Sequence, residues 1–96
     1  MLTKPQRSKD ANYLSYVRGM RCLVCGDTNT DPHHLISRGS FGSDYTAIPL
    51  CREHHTELHS SGITKFEETY KINLWKDAFN LLETYFEESK KETHTR

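Results

Sequence analysis

The chain has 96 residues, 13 Lys and Arg against 13 Asp and Glu, and 34% hydrophobic side chains. That length fits one domain and excludes a second, and a chain so short and so poor in apolar groups is marginal unless a metal or disulfide staples it. Zero formal net charge argues against a protein that coats polyanions without specificity, and no apolar run approaches the roughly 18 residues that a membrane span needs.

Residues 1–40 carry six basic and three acidic side chains, and residues 41–96 carry seven and ten, so the halves differ as +3 and −3. A basic half facing a polyanion and a solvated mixture of charges fit these numbers equally well. The opening "MLTKPQRSKD" lacks the apolar core of a signal peptide. The three cysteines are odd in number, and two of them sit as "CLVC". That spacing suits thiolates holding a metal in a reduced, cytoplasmic protein better than a disulfide framework.

From Ser8 to Gly19 the apolar Tyr13, Leu14, Tyr16 and Val17 fall at helical spacing, with Ser8 or Asp10 to cap the start and Gly19 to end it. "RCLVCGD" follows, two cysteines with a glycine behind them, the knuckle whose backbone turns around a bound zinc. In "TDPHHLIS", Pro32 pushes Asp31 toward extended backbone, and a short strand is expected through Leu35 and Ile36. "RGSFGSD" is a loop. "YTAIPL" reads as a second strand antiparallel to the first, closed by Pro49, with a helix opening around Leu50 to Arg52 and running to about Ser60 before Gly62 stops it. "ITKFEETY" is a short helix, and Asn73 caps a last one from Leu74 to about Glu92.

The last helix carries Leu74, Trp75, Ala78, Phe79, Leu81, Leu82, Tyr85 and Phe86 as a wide apolar stripe. It serves either as a dimer or partner face or as cover for a small zinc core. A domain with so little else to bury favours the second.

The densest chemistry lies in "CREHHTELH", residues 51–59. Zinc takes four soft or borderline ligands in a tetrahedron. Cys22 and Cys25 supply one pair and Cys51, near a helix start, a third thiolate. The fourth is His54 or His55; His54 is preferred, because CxxH mirrors CxxC. At about 100° per residue, Cys51 and His54 are about 60° apart while His55 and His59 are about 40° apart, and the two pairs face directions about 90° from each other. One helix can therefore serve a structural zinc on one face and point His55 and His59 at something else. Beside it lies the doublet His33 and His34, whose side chains point to opposite strand faces unless Pro32 makes the chain irregular. Each histidine alone is an ordinary surface or strand residue as readily as a ligand. Two doublets left over after the zinc site is filled point to a second, open metal site.

Taken together, "CLVCG…HHLISRG…IPLCREHHTELH" resembles the HNH (ββα-metal) nucleases in their zinc-knuckle subgroup, with a likeness to phage and prophage proteins of the recombination-enhancement nuclease type. The resemblance covers about residues 13–75, leaving 76–96 as a C-terminal helix and tail. It implies a small α+β fold, a treble-clef-like hairpin and helix, in a bacterial or phage-encoded protein. It also implies that Cys22, Cys25, Cys51 and His54 hold the structural zinc, that His33, His55 and His59 hold a catalytic divalent ion (Mg²⁺, Mn²⁺, Ni²⁺ or Zn²⁺), and that His34 is the general base. The family's central asparagine is missing here, and Asp44 or Thr46 stands in its neighbourhood.

Phosphodiester hydrolysis needs an in-line nucleophile, a proton acceptor and a cation at the developing charge, and neutral histidine is a suitable acceptor. The expectation is a DNA endonuclease that nicks double-stranded DNA to leave 5′-phosphate and 3′-hydroxyl ends, with Arg18, Arg21 and Arg38 as phosphate contacts. Cutting both strands requires two copies. The rival is a non-catalytic zinc-stapled DNA-binding or scaffold module of a phage-type assembly, which leaves His34 without a task. RNA cleavage by the same site differs only in substrate.

Overall fold

The computed structural model describes residues 8–37 and 42–94, with side chains described to residue 89. The chain is small α+β: the described residues form a two-stranded antiparallel sheet and four α-helices. They run in the order α1 (Ala11–Arg18), β1 (Thr30–His34), β2 (Ala47–Cys51), α2 (Arg52–Ser61), α3 (Ile63–Tyr70) and α4 (Leu74–His94). Asp10 caps α1, its carboxylate accepting the Tyr13 N–H at 3.0 Å. Asn73 caps α4 by accepting the Lys76 N–H at 3.0 Å, as the residue types at those positions predict.

The hairpin corrects three expectations. β1 ends at His34, so Leu35 and Ile36 lie beyond it. Residues Asp44–Thr46 form a 3₁₀ turn, so Tyr45 and Thr46 precede the second strand rather than belong to it. Pro49 does not close β2, which continues to Cys51 and passes directly into α2 at Arg52. The register explains the last point, for Pro32 lies directly opposite Pro49. Alternate pairs in an antiparallel ladder exchange no hydrogen bond, so two residues without N–H groups fit such a pair at no loss. The Pro49 carbonyl faces outward and accepts the Leu23 N–H at 3.2 Å, tying the knuckle to the sheet.

β2 is buried along its whole length and divides two cores. Ile48 and Leu50 join Cys22, Cys51, Leu58, Phe66, Leu74 and Ala78 on one side. Ala47 joins Tyr13 and Val17 on the other, covered by Tyr16, Tyr45, Leu82 and Tyr85. The apolar stripe of α4 is thus covered by the fold only in part. Leu74 and Ala78 are buried, Leu82 and Tyr85 lie half-buried against the tyrosine cluster, and Trp75, Phe79 and Phe86 remain exposed. Among the described residues no helix is long and apolar enough to cross a membrane.

Candidate metal centres

The first centre forms where the knuckle meets the start of α2. Gly26 adopts φ 79°, a conformation that costs side-chain-bearing residues strain, and it lets the chain double back. Its N–H reaches the Cys22 carbonyl at 3.0 Å, and the Cys22 N–H reaches the Asp27 carbonyl at 2.8 Å. Arg21 donates to the Gly26 carbonyl at 3.3 Å. This sequence-predicted phosphate contact is therefore engaged with the knuckle, while Arg18 is exposed on α1 and Arg38 lies outside the described residues.

Cys22, Cys25, Cys51 and His54 each present a ligand atom within 4.8 Å of the other three. The Cys25 and Cys51 sulfurs are 3.8 Å apart, and His54 Nδ1 is 3.2 Å from Cys51 Sγ and 3.7 Å from Cys22 Sγ. A tetrahedron with Zn–S bonds of about 2.3 Å has edges of about 3.8 Å, so the donor set fits a structural metal such as zinc. Burial pushes the Cys22 thiol up. The backbone N–H groups of Cys51, Cys25 and Val24 and the Cys25 thiol outweigh it and hold Cys22 down to about 6, the direction that favours the ligating thiolate. His54, not His55, completes the set. Its ring meets Tyr70 edge-on at 5.5 Å.

The second cluster sits on the adjacent face of α2. Leu58 lies on the Cys51 and His54 face and is buried, whereas His55 and His59 turn toward β1 and meet His33. Ring centroids are 4.6 Å apart for His33 and His55, 5.1 Å for His33 and His59, and 4.9 Å for His55 and His59. One nitrogen from each ring lies within 4.8 Å of the other two. Burial and then the neighbouring imidazoles His55, His59 and His34 press His33 down to about 4, and burial followed by His59 lowers His55. Both rings are therefore neutral at pH 7, with a lone pair to offer. Three imidazoles suit a borderline divalent ion and leave further coordination positions open.

His34 does not join them. The ladder runs in unbroken register from Thr30 opposite Cys51 to His34 opposite Ala47, so the irregularity considered at Pro32 is absent and His34 takes the other side of the strand. Its Nε2 lies 2.9 Å from Asp44 Oδ1. Asp44 is 3% exposed and accepts the Asp10 N–H at 2.8 Å on its other oxygen. Asp10 in turn accepts the Tyr45 hydroxyl at 2.5 Å. A carboxylate oxygen only accepts, so its place beside Nε2 favours the tautomer that donates from Nε2 and leaves Nδ1 with the lone pair. His34 still borders the same cleft as the three imidazoles, a space of about 520 Å³ lined also by Leu35, Ser37, Leu58 and Ile63.

Asp44 is thus the neighbour that sequence position suggested, but it holds a histidine and lies outside the three-imidazole cluster. Thr46, the other residue considered there, turns its hydroxyl to the Ser43 carbonyl at 2.8 Å. Asp10 and Tyr45 are participants that sequence reasoning missed. Asp10 lies 34 residues from Asp44 in the chain, and no local pattern links them.

A family model described as "Protein of unknown function (DUF968)" matches residues 1–86. Over 78 residues the chain is 39% identical to "Uncharacterized protein YdfU" of Escherichia coli (strain K12), a match that covers 76% of this chain and 22% of that protein. The chain therefore spans about a fifth of the length of that curated relative. No solved structure matches.

Proposed function

The chain belongs to the DUF968 family, described as proteins of unknown function, and from that premise we propose that it is a metal-dependent endonuclease of the HNH (ββα-metal) kind that nicks DNA. One observation carries the reading: His33, His55 and His59 converge in a cleft that His34 borders, and His34 is itself held by a buried acid. A purely structural module has no use for this second cluster. The hairpin that passes without a loop into α2, with Cys51 and His54 on one helix face and His55 and His59 on the next, supports the ββα-metal arrangement.

A divalent ion on the three imidazoles would stabilise negative charge on the phosphate and on the departing oxygen. The protein's own share is proton transfer and positioning. His34 Nδ1 takes a proton from water as the water oxygen attacks phosphorus, and the bond from phosphorus to the 3′-oxygen breaks. Asp44 holds the opposite nitrogen and steadies the imidazolium that results, as the aspartate does in a Ser-His-Asp triad. Protonation of the leaving oxygen then yields a 3′-hydroxyl and a 5′-phosphate. One cleft serves one strand, so the product is a nick.

The test is a supercoiled-plasmid assay on the zinc-loaded chain with Mg²⁺, Mn²⁺ or Ni²⁺ added, paired with metal analysis. Relaxed circles should appear, a second exchangeable ion should bind beside one tightly held zinc, and His34→Ala should slow nicking by about 10²- to 10⁴-fold with unchanged zinc content. If no divalent ion supports cleavage of DNA or RNA and only one metal binds, the zinc-stapled binding or scaffold module stands instead. Cleavage confined to RNA would keep the chemistry and change the substrate.

A further inference from the structure

Three large aromatic side chains remain in water in a chain that has little apolar surface to bury. Trp75, Phe79 and Phe86 on α4 are 46%, 63% and 51% exposed. Half-buried Leu82 lies between Phe79 and Phe86. The successive spacings of four, three and four residues are those of a heptad seam, and at about 100° per residue the four side chains fall within about 60° of one another. Leu74, Ala78 and Tyr85 point into the cores from the neighbouring side of the helix. The seam therefore borders the covered face and shares Leu82 with it, while its three aromatic side chains stay about half or more exposed.

The charges beside it select an occupant. Lys76 and Glu83 are both exposed, and both lie along one edge of the seam, about 80° to 100° around the helix from Trp75. We propose that this face docks a second copy of the chain, the two α4 helices packing antiparallel about a two-fold axis. Trp75 then meets the partner's Phe86, and Phe79 meets the partner's Leu82. In that register Lys76 and the partner's Glu83 lie about 3 Å apart along the helix axis, and symmetry repeats the pair. A parallel two-fold arrangement would carry Lys76 and the partner's Glu83 to opposite sides of the seam, so that neither charge would meet an opposite one. Antiparallel helices also bring opposite dipole ends together. The face is self-complementary only in the antiparallel sense. Neither metal centre enters this argument, so it stands or falls apart from the proposed nuclease activity.

Sedimentation equilibrium of the zinc-loaded chain over a wide micromolar range tests it. The chain should dimerise reversibly, and Phe79→Glu should leave a monomer at every concentration. Lys76→Glu and Glu83→Lys should each raise the dimer Kd by about tenfold or more, since each places two like pairs in the interface. The double charge swap Lys76→Glu with Glu83→Lys should restore the dimer to within about threefold of wild type. All three positions are exposed, and circular dichroism with zinc content verifies that each variant folds. A wild-type chain that stays monomeric, a dimer that survives Phe79→Glu, or a double variant as weak as either single one overturns the proposal. In those cases the seam belongs to another segment, to a different protein, or to no partner at all.

Discussion

His33 and His34 are adjacent in the chain and have opposite surroundings. His33 turns to the rings of α2 and is pressed neutral by burial, while His34 meets the carboxyl of Asp44. Simple strand alternation produces this division of labour. It also makes Asp44 the residue through which the loop after β1 acts on the site. Asp44→Ala leaves a half-buried Nε2–H without its acceptor, so kcat for nicking should fall by about 10- to 100-fold with KM nearly unchanged. Asp44→Asn still presents an oxygen to His34 and should retain most of that activity. A plasmid-nicking comparison of the two variants decides. Equal loss in both, or a loss that follows zinc content, would reduce Asp44 to a structural clamp. The identity of residue 44 was noticeable in the sequence only as a departure from a resembling family's pattern. Its partnership with His34 crosses a loop and follows no periodicity.

At the scale of elements, α2 is the organising piece. Its N-cap Cys51 and its His54 face one candidate metal centre, and its His55 and His59 face the other cluster. That prediction needed only the 100° step between residues, and the side chains lie as it requires. The helix therefore has separable faces. Replacing His55 and His59 together with asparagine should abolish binding of the exchangeable ion and leave the tight zinc and the helix content intact. Cys51→Ser should release the zinc and with it the fold. Equilibrium dialysis with metal analysis, read beside circular dichroism, distinguishes the two; loss of the tight zinc in the double asparagine variant would show that the faces are not independent. The strands were less legible. Prolines at 32 and 49 signal strand ends by local rule, and only their placement opposite each other lets β2 continue to Cys51 and deliver that thiol to the helix N-terminus.

The whole molecule holds together around the first centre. Cys22 and Cys51 belong to the same core as Ile48, Leu50, Leu58, Phe66, Leu74 and Ala78. A metal held by these donors would therefore anchor the knuckle, the hairpin and α2 to the helices that follow. Structural zinc contributes about 10–16 kcal/mol in small domains, against a typical net stability of about 5–15 kcal/mol. Removing metal with a chelator under reducing conditions should unfold the chain, seen as loss of far-ultraviolet helix signal, and adding zinc back should restore it. A melting curve unchanged after verified metal removal would show that the two apolar cores suffice alone. The same scale contains the exposed seam of α4. The stripe was visible in sequence, but which of its residues the fold would cover was not, because that depends on where β2 and α1 lie beneath the helix.

The sequence by itself determined the local chemistry: the caps at Asp10 and Asn73, the knuckle at Cys22 to Gly26, and the two ligand faces of α2. Each depends on residues within a few positions of one another, where helix and turn geometry leave few choices. Only the tertiary structure decided the contacts that span a loop or a face. It set His33 over α2, gave His34 to Asp44 and Asp44 to the α1 cap, placed proline opposite proline, and left Trp75, Phe79 and Phe86 in solvent. Those outcomes follow from how the elements dock, and docking is governed by burial summed over the whole chain, to which no short stretch of residues is a guide.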